Sequence, residues 1–139
     1  MTTERQLGVD LFNGTWRLIE SRADDELMVH MAHASNYHWA VAPECKPENR
    51  ARGAWLVSRV YALVGRPEPA LHHAESCFEW CERYGLGDWD LAFAYEALAR
   101  ASRVAGDDDA AVSYLELARS VEIAEAEDRE LVEADLATV

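Results

Sequence analysis

The sequence predicts an all-α protein made of repeated helical hairpins, and three observations lead to this class. Half of the 139 residues are hydrophobic, and helix-forming residues are abundant beside only 7 Gly and 4 Pro. Apolar residues recur at helical spacing along most of the chain. The third observation is an internal repeat, and a fixed period of this kind predicts a solenoid of stacked hairpins.

The repeat is clearest at three arginines in the middle of predicted helices. Arg17, Arg59 and Arg100 lie 42 and 41 residues apart. The same offset superposes the residues at the turn that follows each helix, which are Ala23, Gly65 and Gly106. Because equivalent positions of stacked repeats line up on one surface, we expect the three arginines to share a face.

The first hairpin is predicted from an apolar stripe and a turn. Leu7 and Leu11 belong to the stripe of a helix over about residues 4–22. The turn Ala23-Asp24-Asp25 follows, with an aspartate well suited to cap the start of a second helix. That helix runs to about Ala42, so the first hairpin spans about residues 4–42.

Prolines and glycines bound the middle hairpin, over about residues 48–84. Two prolines within residues 43–47 cannot lie inside a helix, so this segment separates the hairpins. The third helix is predicted over about 48–64 and ends at Gly65. The fourth helix opens at Pro67 and ends near Tyr84.

The third hairpin, over about residues 88–124, is followed by a capping helix over about 127–137. Asp88 is expected to cap the fifth helix, and the acids of 107–109 favour the start of the sixth. The last helix is acidic outside, and its inward apolar residues are Leu131, Val132 and Leu136. Such a helix would cover the end of a solenoid, so we predict one domain over residues 1–139.

These units resemble tetratricopeptide repeats, in the long form of about 42 residues found in kinesin light chain-like arrays. In the last unit the matching positions are Tyr95, Leu98, Ala99, Gly106, Ala111, Leu115 and Ala118. In the middle unit they are Val57, Ser58, Tyr61, Gly65, Ala70, Ala74 and Cys77. The first unit has Ala23 for the turn glycine and Met28 for the packing alanine, and all three units lack the signature tryptophan. The resemblance implies a right-handed α-solenoid with a concave groove.

The resemblance also implies which side chains line that groove, because the first helix of each pair faces it. The expected groove residues are Asn13, Arg17, Arg52, Trp55, Arg59, Phe93, Glu96, Arg100 and Arg103. Guanidinium groups bind carboxylates in pairs of hydrogen bonds, and tryptophan is a frequent anchor of partner binding. We therefore expect a module that binds a protein or peptide partner, acidic in character. In the alternative interpretation each arginine pairs with a glutamate of a neighbouring helix, such as Glu20 or Glu96, and binds nothing.

Net charge and composition further limit the classes of partner that this protein is expected to bind. The net charge of −13 should repel nucleic acid and anionic membrane surfaces. No window approaches the roughly 20 apolar residues of a membrane span, and the first six residues form no apolar signal core. Three cysteines, Cys45, Cys77 and Cys81, argue against a disulfide framework. We expect a soluble, cytoplasmic protein, and a homodimer would cover the apolar end faces of so short an array.

A histidine-rich helix supports a second hypothesis, a metal-binding protein or a small metal-dependent enzyme. His30, His33 and His38 lie on one predicted helix, and imidazole is the commonest ligand of transition metals. A third ligand from elsewhere would be needed, and the candidates are Glu44, Cys45 and His73. No HExxH, paired CxxC or other catalytic motif is present, which favours hydrogen-bonded histidines between packed helices. A small anionic ligand among the arginines is a related alternative.

Overall fold

The computed structural model describes all residues, 1–139, and is all-helical. The seven predicted helices are confirmed, and most of their bounds lie within one or two residues of those expected. The exception is the sixth helix, which ends at Ser120, four residues before the expected end of the third hairpin at about residue 124. They are α1 (Glu4–Ser21), α2 (Asp25–Val41), α3 (Pro47–Leu63), α4 (Pro67–Tyr84), α5 (Asp88–Val104), α6 (Asp108–Ser120) and α7 (Ala126–Leu136). None of these helices combines the length and the apolar character that crossing a bilayer requires.

Capping side chains fix several helix starts. The Thr3 hydroxyl accepts the amide N–H of Gln6 at 3.0 Å, and the carboxylate of Asp24 accepts that of Leu27 at 2.9 Å. Asp107 caps α6 in the same way. Each cap satisfies a backbone donor that the first turn of a helix leaves unpaired. The aspartate cap predicted at the α1–α2 turn is therefore confirmed.

Asp88 does not act as the predicted cap of α5. The capping position is Gly87, and Asp88 is the first helical residue, with a φ of +53°. One carboxylate oxygen of Asp88 accepts the amide N–H of Trp89 at 2.7 Å, and the other accepts that of Ala124 at 3.0 Å. Asp88 thus joins the start of α5 to the segment between α6 and α7, a long-range contact that local sequence signals do not reveal.

Small residues allow the helices to pack closely. Each of the helices α1 to α5 packs against the helix that follows it, and α3 also contacts α5, as α5 contacts α7. Alanines form much of the core, and buried serines link the two helices within the first hairpin and within the second. The hydroxyl of Ser35 donates to the carbonyl of Gly8 and that of Ser58 to the carbonyl of Ala70, both at 2.8 Å. The all-α class is confirmed, whereas the solenoid arrangement stays a prediction.

The apolar face of α7 differs from the prediction at one residue. Val132 and Leu136 are buried against α5 and α6, as expected. Leu131 is 56% exposed and lies outside this core. Successive helical residues are separated by 100°, so Leu131 and Val132 cannot both occupy the centre of one narrow packing face.

Candidate functional site

The strongest candidate site is an aromatic cavity of about 200 Å³ between α1, α3 and α5. Four rings line it, and each of the three helices contributes at least one. The lining residues are Phe12, Ala51, Arg52, Trp55, Cys77, Trp89, Asp90 and Phe93. An apolar cavity with a few polar groups at its edge is the usual form of a ligand or anchor site.

Ring contacts hold the aromatic wall in place. The rings of Trp55 and Phe93 meet edge to face with centroids 5.5 Å apart, and Trp89 meets Phe93 at 6.1 Å. Trp16 packs behind Trp55 at 5.7 Å. These are favourable aromatic geometries, so the wall is ordered by its own contacts. The resemblance predicted Trp55 and Phe93 as groove residues but did not include Phe12 and Trp89, which the spacings Phe12–Trp16 and Trp89–Phe93 (i, i+4) would have indicated.

An ion pair forms the polar edge of the cavity. Arg52 donates two hydrogen bonds to the carboxylate of Asp90, at 2.9 and 3.1 Å, and its guanidinium lies 5.4 Å from the centre of the Trp89 ring. The Arg52 side chain is 43% exposed. A second cavity of about 180 Å³, lined by Phe12, Arg52 and residues of α1, α2 and α3, adjoins the first. Arg52 therefore lies where a ligand spanning both cavities would pass.

Two of the predicted groove arginines are buried in an internal network around Glu96. The Glu96 side chain is fully buried and accepts hydrogen bonds from the Trp55 indole and from Arg100 Nε, both at 2.7 Å. Arg59 lies 3.8 Å from the same carboxylate and packs against the rings of Trp16 and Trp55. Burial, followed by repulsion from Arg100, lowers the pKa of Arg59.

The same arginines bind the end of α7. Arg100 donates to the carbonyl oxygen of Asp135 at 3.2 Å and to the Thr138 hydroxyl at 2.6 Å, and Arg59 lies 3.5 Å from the Asp135 carboxylate. Cations at a helix C-terminus complement its exposed carbonyl groups. Arg59 thus faces a glutamate of a neighbouring helix, as in the alternative interpretation, whereas Arg100 pairs with Glu96 within its own helix. The side chains of Arg59 and Arg100 are only 11% and 12% exposed.

The remaining predicted arginines stay at the surface. Arg17 is exposed and takes part in none of the ion pairs of the structure. Arg103 pairs with Asp108 at 3.0 Å. Arg17 and Arg52 are thus exposed on two helices that line the cavity, whereas Arg103, with its side chain 37% exposed, lies in the last turn of α5 and is paired with Asp108.

The three histidines predicted as metal ligands have separate surroundings. His30 is exposed and nearest to Glu26, at 3.8 Å, and the Nδ1 atom of His38 lies 2.5 Å from the carboxylate of Glu4. His33 Nε2 forms a hydrogen bond of 2.7 Å with the Tyr61 hydroxyl. Nowhere in the structure do three His, Cys, Asp or Glu side chains gather in a way that would hold a metal ion.

The cysteines of α4 belong to the core. Cys77 and Cys81 are both free and buried, and they pack against Ala51, Ala54 and Ala94. A hydrogen bond with Cys81 and burial raise the pKa of Cys77 well above the ordinary value. A buried thiol that stays protonated is a poor nucleophile, so Cys77 acts as a small apolar residue in the cavity floor.

Replacing Glu96 by Ala should strongly destabilise the fold. The change leaves Arg59 and Arg100 buried without their shared carboxylate, and removing one partner of a buried ion pair costs about 3–5 kcal/mol. Equilibrium urea unfolding measures the loss in free energy of unfolding. Glu116→Ala is the control, because Glu116 is exposed and makes no ion pair. A loss below about 1 kcal/mol for Glu96→Ala would contradict the role given to this network.

Acidification should destabilise the protein through His73. Burial, followed by His72 and His33, lowers the pKa of His73 from 6.5 to about 4. Because the unfolded chain takes up this proton at a higher pH than the folded chain does, stability is lost as pH falls from about 6.5 to about 4. His73 is only half-buried, so the expected loss is on the order of 1–2 kcal/mol. In the His73→Phe variant, the free energy of unfolding measured with urea should lack this loss between about pH 6.5 and pH 4. If the free energy of unfolding of the two proteins falls in parallel with pH, the role given to His73 is contradicted.

Comparison with known proteins does not place this chain in a family. No protein-family profile matches the sequence, and no match was found among curated proteins or solved structures.

Proposed function

We propose that this chain is a peptide-binding module of tetratricopeptide type. In this proposal α1, α3, α5 and α7 form the inner row of a right-handed solenoid, and α2, α4 and α6 form the outer row. The repeat of 42 and 41 residues and the contacts of α3 with α5 and of α5 with α7 support this arrangement. The aromatic cavity then lies in the concave groove, where such modules bind partner segments.

The observation that carries the proposal is the aromatic cavity itself. Its volume of about 200 Å³ suits a single large side chain, and its walls are almost wholly apolar. An aliphatic or aromatic side chain would gain free energy by leaving water, and hot spots of protein interfaces are anchors of this kind. The apolar lining favours such an anchor over a small anionic ligand, the related alternative.

The accessible arginines indicate the charge of the residues beside the anchor. Arg17 and Arg52 are exposed on α1 and α3, whereas the rest of the surface is dominated by carboxylates. An acidic residue next to the anchor could pair with Arg17 or share Arg52 with Asp90, since guanidinium binds carboxylates through two parallel hydrogen bonds. Arg59 and Arg100 would instead hold Trp55 and α7 in place.

A series of short labelled peptides tests this proposal. Each peptide carries Ala, Leu, Phe or Trp at a central anchor position, flanked by either Glu or Lys, and fluorescence anisotropy reports its binding to the full chain. We expect the tightest binding from a large apolar anchor with Glu flanks. Phe93→Ala should weaken that binding about tenfold or more, because it removes one wall of the cavity.

Two further variants distinguish the contribution of the apolar anchor to peptide affinity from that of the charged flanking residues. Arg17→Gln and Arg52→Gln should reduce the preference for Glu over Lys flanks while keeping the preference for a large anchor. Leu117→Ala is the control, since Leu117 is exposed on α6, away from the cavity. The proposal would be contradicted if Phe93→Ala bound the peptide as tightly as the unchanged protein, or if Leu117→Ala lost as much affinity as Phe93→Ala. Circular dichroism must show that both variants are folded.

A further inference from the structure

Four of the five histidines of the chain lie on two neighbouring stretches of helix. His30 and His33 are one turn apart on α2, and His72 and His73 are adjacent on α4. The rings of His33 and His73 meet, and Tyr61 of α3 contacts both. At 100° per residue Tyr61 lies about 200° around α3 from Arg59, so this junction is on another side of α3 from the Glu96 network.

The separation of the two rings suits a shared metal ion. The ring centroids of His33 and His73 are 5.6 Å apart, with 73° between the planes. Two imidazoles that bind one ion at metal–nitrogen distances of about 2.0–2.1 Å have centroids roughly 5–6 Å apart. The two side chains come from different helices whose backbones are fixed by the core, so their separation is set by the fold.

Tyr61 supplies the kind of outer contact that metal-binding histidines have. His33 Nε2 lies 2.7 Å from the Tyr61 hydroxyl, and in the tautomer in which Nε2–H donates to this oxygen the lone pair for a metal is on Nδ1. The Tyr61 ring also stacks on His73, with centroids 5.9 Å apart and 8° between the planes. Such outer partners fix the tautomer and the orientation of a ligating ring.

We propose that His33 and His73 form a surface site for a divalent ion that prefers imidazole, namely Cu(II), Ni(II) or Zn(II). Two protein ligands hold the ion, and water or a rotated His30 or His72 completes its coordination. This site differs from the trio predicted from the sequence, because His38 pairs with Glu4 instead. The guanidinium of Arg66, 5.5 Å from the centre of the Tyr61 ring, opposes a cation here and limits the affinity.

Titration of the full chain with Cu(II) at neutral pH tests the site, because copper binds most tightly among these ions. Isothermal titration calorimetry should show one equivalent of bound copper. His33→Gln and His73→Gln should each lower the association constant about tenfold or more, and Tyr61→Phe should lower it severalfold. His38→Gln is the matched control and should bind as the unchanged protein does.

Proton NMR of the unchanged protein provides a measurement that does not depend on the variants folding. Substoichiometric Cu(II) should broaden the imidazole resonances of His33 and His73 first and leave those of His38 sharp. The proposal is overturned if no saturable binding occurs, if His33→Gln and His73→Gln bind copper as tightly as the unchanged protein, or if the His38 resonances broaden as strongly as those of His33.

Discussion

The buried carboxylate of Glu96 is the constraint on which the candidate site depends. It holds the Trp55 indole through one hydrogen bond and Arg100 through another, and it lies close enough to Arg59 to balance part of its charge. Two cations in a desolvated position require such a counter-charge. With Trp55 fixed at its nitrogen, its ring has one orientation and can serve as a rigid wall of the cavity. The same arginines extend to Asp135, so the position of α7 and the shape of the cavity depend on one charge cluster.

The helices were predictable because their signals are local and repeated. A cap such as Asp24, a break such as the proline pair of 43–47 and a glycine such as Gly65 each act within one or two turns. The cavity was only partly predictable, since it consists of contacts between residues far apart in sequence. Trp55 and Glu96 are 41 residues apart, and no pattern in either helix indicates that an indole will donate to that carboxylate. Asp88 illustrates the same limit, because its partner Ala124 lies beyond two helices.

The histidines show that a spacing pattern on a helix can be predicted correctly while the side chains in that pattern meet different neighbours in the fold. His30 and His33 do lie one turn apart, as the spacing predicts. The predicted metal site took His30, His33 and His38 of α2 as ligands, whereas packing directs His33 towards α3 and α4 and His38 towards α1. His73 was among the candidate additional ligands, yet only the fold brings it to His33. Side-chain spacing predicts which residues share a face of a helix, and helix packing decides which neighbours that face meets.

The three repeat arginines have different roles because the helix two further along the chain offers each of them a different residue. Arg59 of α3 meets Glu96 of α5, and Arg100 of α5 meets Asp135 and Thr138 at the end of α7. The position of α3 that corresponds to Glu96, 41 residues earlier, is Trp55, which carries no charge. Arg17 of α1 therefore has no equivalent carboxylate to pair with, and it is the repeat arginine that remains exposed. A sequence repeat thus predicts which residues occupy equivalent positions. The charge of the residue that packs against each arginine then determines whether that arginine supports the fold or is free to bind a partner.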